Sequence, residues 1–273
     1  MRKSGMLMPV SALPGAYGIG CFSKEAYDFV DQLEKAGQQY WQILPLGPTG
    51  YGDSPYQSVS TFAGNPYFID LEELIKKELL TKEECEACDW GGSESYVDYE
   101  KIYLSRYKLL RKAYEKADLK TDPDYAEFLK EEKDWLQDYC LFMAIKNDQK
   151  GICWIDWPEE LKDRHSKAVK EAEKELAEEI EFYRFQQYCF TTQWRKLKAY
   201  ANKKGISIIG DVPIYVALDS SDAWANPEML QFDKDYDPKA VAGCPPDAFS
   251  ATGQLWGNPL YDWKALKKDG YGW

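Results

Sequence analysis

Carboxylates are the side chains that could carry acid–base chemistry in this sequence, because Asp and Glu number 46 while histidine occurs once. The single histidine, His165, lies in the highly charged run 162–179, which is typical of a solvated helix face. A metal site with several histidine ligands is therefore excluded. A serine or cysteine nucleophile activated by histidine would depend on this one residue.

Cysteines offer a second possible chemistry. Seven are scattered along the chain, and Cys85 and Cys88 form a C-x-x-C pair. No second pair stands at the spacing of a zinc site, and no thioredoxin-like strand–helix–strand pattern surrounds this one. We interpret the pair as two thiols without a shared function in an acidic helical segment.

A stiff loop between Pro45 and Pro66 contains four prolines and four glycines and displays polar and aromatic side chains: Tyr51, Asp53, Ser54, Tyr56 and Gln57. It lacks the glycine patterns of phosphate-binding loops. Hydroxyls, an amide and aromatic faces are the mixture that a sugar needs, because the C–H face of a pyranose packs on a ring while its hydroxyls take polar partners. On composition alone, we expect equally that these tyrosines have only a structural role and pack against the rest of the protein.

The elements that must position this loop form a repeating pattern. A short buried strand is predicted at 5–10, a helix capped by Ser23 at 24–36, and a second strand at 40–44. This spacing indicates a strand–helix–strand unit and hence a parallel sheet. A third strand is predicted at 206–211, and it ends in the carboxylate of Asp211.

Between these strands the sequence changes to Lys/Glu-rich amphipathic patterns, which predict helices at 71–80, 98–117 and 124–147. A further helix is predicted at 184–202. After the third strand comes a long stretch, 212–259, punctuated by glycine and proline, with short helices at 220–225 and 263–268. Long ordered loops of this kind are usually functional. The pattern predicts an α/β protein in which two loops that hold most of the candidate functional residues each follow a strand.

Charge limits the partners of the chain. The net charge is −12 and the isoelectric point is near 4.8, so nucleic acid and anionic membranes are not expected to bind. No apolar stretch reaches the length of a membrane span, and the N-terminus does not read as a signal peptide. We therefore predict a cytoplasmic protein.

Five motifs in the sequence resemble those of a known protein family. They are GPTGYGDSPYQS at 47–58, FAGNPYFIDL at 62–71, DVPIY at 211–215, VAGCPPDAF at 241–249 and GQLWGNPLY at 253–261. Together they resemble the 4-α-glucanotransferases of the amylomaltase (disproportionating enzyme) family, within the α-amylase clan. The resemblance runs from Gly5 to Trp273.

The resemblance implies a fold and a reaction. The chain would be the N-terminal part of a (β/α)8 TIM barrel, with about three of eight strands in 1–70 and 183–273 and a helical insertion at 71–182. The family cuts an α-1,4-glucan and passes the fragment to the 4-hydroxyl of an acceptor sugar, with α-1,4-glucans and maltooligosaccharides as partners and no metal or organic cofactor. Such a reaction retains configuration through two carboxyl groups roughly 5–5.5 Å apart.

Site residues follow by resemblance, position by position. Asp211 matches an aspartate that hydrogen-bonds the sugar beside the cleavage point, and Trp256 matches a tryptophan that stacks on the acceptor side. The remaining substrate-binding matches are Ser54, Tyr56, Asp247 and Gln254. A secondary glucan site is implied at Tyr51 and, from a shorter match, at Tyr99.

The catalytic dyad of the family has no match here. Its nucleophile and its acid/base are expected beyond Trp273, so we expect an N-terminal piece that is inactive alone and has the missing C-terminal half of the barrel as its partner. Two other functions stay open: a non-catalytic glucan-binding module, and a different glycosidase that pairs Asp211 with Asp53 or Asp247. A tyrosine stripe on the predicted helix, at Tyr96, Tyr99, Tyr103 and Tyr107, is interpreted as packing.

Overall fold

The computed structural model describes residues 2–50, 52–93 and 95–273. Within them the chain forms two compact units. The first unit comprises Met1–Pro48, Ala63–Lys133 and Phe182–Val212, and the second comprises Thr49–Phe62, Asp134–Glu181 and Pro213–Trp273. In this described part, no helix combines the length and the apolar character that crossing a membrane requires.

The regular elements follow one another along both units. The strands are β1 (Gly5–Leu7), β2 (Tyr40–Gln42), β3 (Ser207–Ile209), β4 (Val241–Cys244) and β5 (Gln254–Pro259). The helices are α1 (Lys24–Lys35), α2 (Leu71–Lys76), α3 (Lys82–Glu86), α4 (Tyr99–Lys116), α5 (Pro123–Glu131), α6 (Leu136–Asp148), α7 (Glu159–Lys162), α8 (Ser166–Glu175), α9 (Ala177–Lys203), α10 (Ser221–Ala225) and α11 (Trp263–Lys268).

The sheet of the first unit is parallel and has the order β1-β2-β3. Helix α1 connects β1 to β2, which confirms the predicted strand–helix–strand unit. Trp41 on β2 is completely buried, and its indole donates to the Met8 carbonyl at 2.8 Å. The prediction of a buried first strand was wrong, because the residues of β1 are exposed at the edge of the described sheet.

Helix α9 supplies two buried glutamines that hold the segment leading to α2. Gln187 accepts a hydrogen bond from the Gly64 amide at 2.7 Å and donates to the Gly64 carbonyl at 2.9 Å. Gln193 makes the same double contact with the backbone of Asp70. These amides satisfy backbone groups that no sheet or helix partner reaches, so they fix the path of the chain after the loop.

The second unit packs its helices around tryptophans. Trp154 and Trp224 are fully buried, and their indoles donate to backbone carbonyls at 2.7 and 3.0 Å. Lys146 of α6 donates to Asp219 at 2.6 Å and to the carbonyls of Gly151 and Ile152. This ammonium group therefore ties α6 to two connecting segments.

The predicted helices are present with shifted ends. The pattern at 124–147 forms two helices, α5 and α6, and the helix predicted at 184–202 begins earlier, at Ala177. Ser23 lies at the N-cap position of α1, but its hydroxyl donates to Glu25 and does not accept from the helix backbone.

The largest departure from the sequence analysis is the antiparallel hairpin β4–β5, which lies within the stretch predicted as a loop. Helices α2 to α8 and the first turns of α9 lie in the predicted helical segment 71–182. In the packing, however, residues 134–181 group with 213–273. The domain boundaries at 70 and 183 stay a prediction.

Candidate functional site

The loop 49–62 of the second unit closes on itself at its base. Thr49 and Ser58 form an antiparallel bridge, and the Gln57 amide donates to the Ser54 carbonyl at 3.1 Å. The Ser54 hydroxyl accepts from the Tyr56 amide at 3.4 Å, and the Tyr56 side chain is exposed. The loop thus presents a hydroxyl and an aromatic ring from a stiff turn.

Helix α10 anchors the far end of this loop. The Asp222 carboxylate accepts from the Thr61 amide at 2.6 Å, and the Ser221 amide donates to the Val59 carbonyl at 2.9 Å. Burial raises the pKa of Asp222 to about 6, against the lowering effect of its hydrogen bonds with Thr61. The hydrogen bonds from the buried residues Asp222 and Ser221 therefore fix the C-terminal end of the loop.

Strand β5 meets the loop through a pair of side-chain amides. Gln57 Nε2 donates to Asn258 Oδ1 at 2.8 Å and to the Trp256 carbonyl at 3.3 Å. Asn258 is buried and donates to the Val216 carbonyl at 2.9 Å. These contacts join three segments of the second unit around the strand that carries Trp256.

The indole of Trp256 is an open platform. It is 41% exposed, and its ring nitrogen donates to Gln254 Oε1 at 3.1 Å. The ring of Tyr215 lies 6.5 Å away at 49°. The described geometry therefore places an exposed aromatic face beside an amide, which suits a ligand with apolar faces and hydroxyls.

Asp247 lies in the connection between β4 and β5. Its carboxylate accepts from the amides of Phe249 and Ser250, both at 2.8 Å, so it shapes the loop that carries the exposed Phe249. Gly253 closes this connection with φ of +74°, a conformation that a side chain would strain. The predicted sugar contact of Asp247 stays a prediction.

The other predicted site residues lie in the first unit or outside the described residues. Asp211 is half-buried and lies two residues after the end of β3, in the first unit. Tyr99 is the half-buried first residue of α4 in the same unit. Tyr51 lies outside the described residues. Within the second unit, the structure brings the Ser54–Tyr56 turn and the Gln254–Trp256 strand into one hydrogen-bonded assembly.

Sequence reasoning missed Asn258 and Asp222 as organising residues. The signal for Asn258 was its place in the GNP sequence after Trp256, while Asp222 follows the serine cap of a short helix. The hydrogen-bond partner of each residue is remote in sequence: Gln57 is 201 residues from Asn258, and Thr61 is 161 residues from Asp222.

The cysteine pair has the character of structural thiols. Cys85 is buried in α3 and burial raises its pKa to about 11, which keeps it protonated at neutral pH. Across the described ranges, no group of three or more His, Cys, Asp or Glu residues has the arrangement of a metal site.

Comparison with known proteins places this chain in a family. The model of the 4-alpha-glucanotransferase family, glycoside hydrolase family 77, matches residues 8–273. The chain belongs to this family. It is 52% identical to the 4-alpha-glucanotransferase of Clostridium butyricum, over 97% of the chain and 55% of that protein. It is 47% identical to that of Thermus thermophilus, over 99% of the chain and 54% of that protein.

Solved structures agree with this membership. The amylomaltase of Streptococcus agalactiae in complex with acarbose is 42% identical, with a TM-score of 0.95 over 100% of this chain and 56% of that one. The amylomaltase of Corynebacterium glutamicum, at 18% identity and a TM-score of 0.76, shares the fold. The family member described here spans about half the length of the curated relatives it matches.

Proposed function

We propose that this chain supplies the substrate-binding loops of a 4-α-glucanotransferase, which transfers a segment of an α-1,4-glucan to the 4-hydroxyl of an acceptor. The observation that carries the proposal is the Gln57–Asn258 hydrogen bond of 2.8 Å, because it fixes the Tyr56 turn next to the Trp256 strand. Family membership supports the reaction, and the exposed ring of Trp256 supports a sugar ligand.

Each proposed residue has one role. Trp256 stacks on the acceptor sugar, and Gln254 accepts from its indole while presenting an amide to the same ligand. Ser54 and Tyr56 contact substrate from the second unit, and Asp211 of the first unit hydrogen-bonds substrate, each as the family resemblance implies. Asp247 contributes from the connection before β5. Tyr51 and Tyr99 belong to a secondary glucan site.

The three parallel strands are, in this proposal, part of a (β/α)8 barrel. Support comes from the parallel order β1-β2-β3 and from the TM-score of 0.95 with an amylomaltase. The nucleophile and the acid/base have no counterpart among the matched motifs, so the activity requires residues that the partner half of the barrel provides. Acarbose in the Streptococcus agalactiae structure supports oligosaccharide binding by such a site.

Incubation with maltotriose tests the reaction. We expect the 273-residue chain alone to leave maltotriose unchanged. Adding the C-terminal half of the Clostridium butyricum relative, separately expressed, should produce glucose and a ladder of longer maltooligosaccharides on chromatography. An Asp211→Asn chain is the matched control and should not restore the ladder.

The outcomes separate the candidate functions. Turnover by the chain alone would show that its own carboxylates suffice, and Asp53, Asp211 and Asp247 would then be the acids to substitute. Maltoheptaose binding that never leads to turnover with the added half would favour a non-catalytic glucan-binding module. Absence of both binding and turnover would contradict the proposal.

A further inference from the structure

A cavity of about 370 Å³ lies in the second unit, and every described residue that lines it belongs to that unit. Its walls come from the end of the loop 49–62, from α6 and the two residues before it, from α10 and the turn that follows, and from α11 and the residues after it. The buried side chains of Met229 and Leu266 provide apolar surface. A cavity of this size accommodates a small organic molecule.

Three aromatic rings that line this cavity are in contact with one another. The ring of Phe62 is central: it lies 6.2 Å from the ring of Trp135 at an angle of 23° and 5.4 Å from the ring of Trp273 at 82°. We call these three residues the aromatic corner, because a stacked pair meets a nearly perpendicular indole. Phe62 is 50% exposed, so packing within the unit leaves ring surface open. The faces of aromatic rings carry negative potential and attract cations.

The charged side chains that line the cavity are all acidic among the residues that the structure describes. They are the carboxylates of Asp134, Asp138, Asp222, Glu228 and Asp269. Asp138 is paired with Arg164 at 2.6 Å, and no ion pair in the described part of the chain involves the other four. The charge that would balance this lining is therefore a cation.

Asp222 is the carboxylate whose surroundings point most directly to a ligand. It is only 5% exposed, it lines the cavity, and it accepts from the Thr61 amide at 2.6 Å, next to Phe62 of the aromatic corner. Burial raises the pKa of Asp222 to about 6, so the group is ionised above neutral pH. A buried anion without a basic partner is unfavourable, and a cation in the cavity would compensate its charge.

An organic cation fits this lining better than a metal ion or a neutral sugar. Across the described ranges, no group of three or more His, Cys, Asp or Glu residues has the arrangement of a metal site. A sugar could hydrogen-bond the carboxylates but would leave their charge uncompensated. An ammonium group with alkyl substituents meets both requirements, because its charge faces the carboxylates while its apolar substituents lie on the ring faces.

We propose that this cavity binds a small organic cation with an alkylated ammonium group, held between the aromatic corner and the Asp222 carboxylate. This site goes beyond the proposed function. None of the residues named for it is a proposed sugar contact, and its ligand is not a reactant in glucan transfer.

NMR titration of the 273-residue chain with choline tests this proposal at mildly alkaline pH and constant ionic strength. The methyl signal of choline should show saturable binding. The uncharged alcohol 3,3-dimethylbutan-1-ol has the same shape as choline and should bind about tenfold more weakly, because it lacks the charge that the rings and carboxylates attract.

Three variants of the lining should weaken choline binding. Asp222→Asn removes the buried charge and Phe62→Leu replaces a ring by an apolar side chain, and each should weaken binding about 3- to 10-fold. Glu228→Gln changes an exposed carboxylate of the same cavity and should have a smaller effect in the same direction. Glu159→Gln is the matched control, since Glu159 is exposed on α7 and does not line the cavity. Circular dichroism spectra should coincide for the parent and all variants.

The outcomes decide for or against the site. Weaker binding by Asp222→Asn and Phe62→Leu with unchanged binding by Glu159→Gln supports it. Absence of saturable choline binding by the parent chain would overturn the proposal. Equal affinity for the alcohol would overturn the cationic ligand class, and equal losses in Glu159→Gln and Asp222→Asn would show a general effect of net charge in place of a site.

Discussion

Gln57 donates a hydrogen bond to Asn258 at 2.8 Å, although the two residues are 201 positions apart. Asn258 is buried and in turn donates to the Val216 carbonyl, so the proline-rich loop, the segment after β3 and strand β5 share one polar junction. The same Gln57 side-chain amide also donates to the carbonyl of Trp256, which lies two residues before Asn258. The junction determines where the exposed indole lies.

Gln57→Ala should destabilise the protein by about 1–3 kcal/mol, because it leaves the buried Asn258 oxygen without its donor. Urea unfolding measures the change. Gln38→Ala is the control, since Gln38 makes a single 3.4 Å contact with the Ala36 carbonyl and should shift stability by less than about 0.5 kcal/mol. Equal midpoints for the two variants would contradict the importance of the junction.

Trp256→Ala should weaken maltoheptaose binding at the proposed acceptor site by about 3- to 10-fold, because the sugar loses its stacking partner. Trp263→Ala removes another exposed tryptophan of the same unit and should leave affinity unchanged. Titration calorimetry of both variants measures the difference. The same loss of affinity in both would indicate a general effect of removing indole rings and not a site.

Asp222 should make stability depend on pH. Its folded-state pKa is raised to about 6 by burial, so its contribution is fully present below about pH 4 and is lost as the pH rises through 6. Asp222→Asn stays neutral and keeps an oxygen acceptor for Thr61, so it should gain up to roughly 3 kcal/mol over the parent between pH 4 and 7. Urea unfolding across this range measures it. A constant gap between Asp222→Asn and the parent across this range would refute the role of Asp222.

Lys146→Met should destabilise the protein by about 1–3 kcal/mol, because it removes the half-buried ion pair with Asp219 at 2.6 Å and takes a donor from the carbonyls of Gly151 and Ile152. Urea unfolding at constant salt measures the loss. Lys24→Met is the control: Lys24 pairs with Asp28 on the exposed face of α1, where a pair contributes less than about 1 kcal/mol. Similar losses for the two variants would mean that the half-buried pair contributes no more to stability than the exposed one.

Gly64→Ala should cost about 1–3 kcal/mol or more, because a Cβ at this position would lie 2.1 Å from the ring of Phe190. Gly92→Ala serves as the control, since a Cβ there meets nothing within 4 Å. Thermal melts should fall for Gly64→Ala and stay near the parent for Gly92→Ala. An unchanged melt of Gly64→Ala would show that the Phe190 ring can move away from position 64 at little cost.

Local patterns predicted the elements of this protein where the physics is local. The apolar spacing of α1, the short helices α10 and α11, and the parallel strands β1, β2 and β3 all follow from neighbouring residues. The family membership was also readable, since its motifs are contiguous and need no structure to be recognised.

Tertiary structure decided what depends on distant partners. The β4–β5 hairpin was missed because its strands alternate poorly and contain glycines that only a close partner backbone explains: the Cβ of a residue at 243 would lie 2.4 Å from the Gln254 carbonyl. The Gln57–Asn258 junction and the exposure of Tyr103 were likewise invisible, since hydrogen-bond partners and burial depend on segments that are remote in sequence. The sequence by itself determined the family and most helices, and packing determined which polar and aromatic side chains meet and which remain open to a ligand.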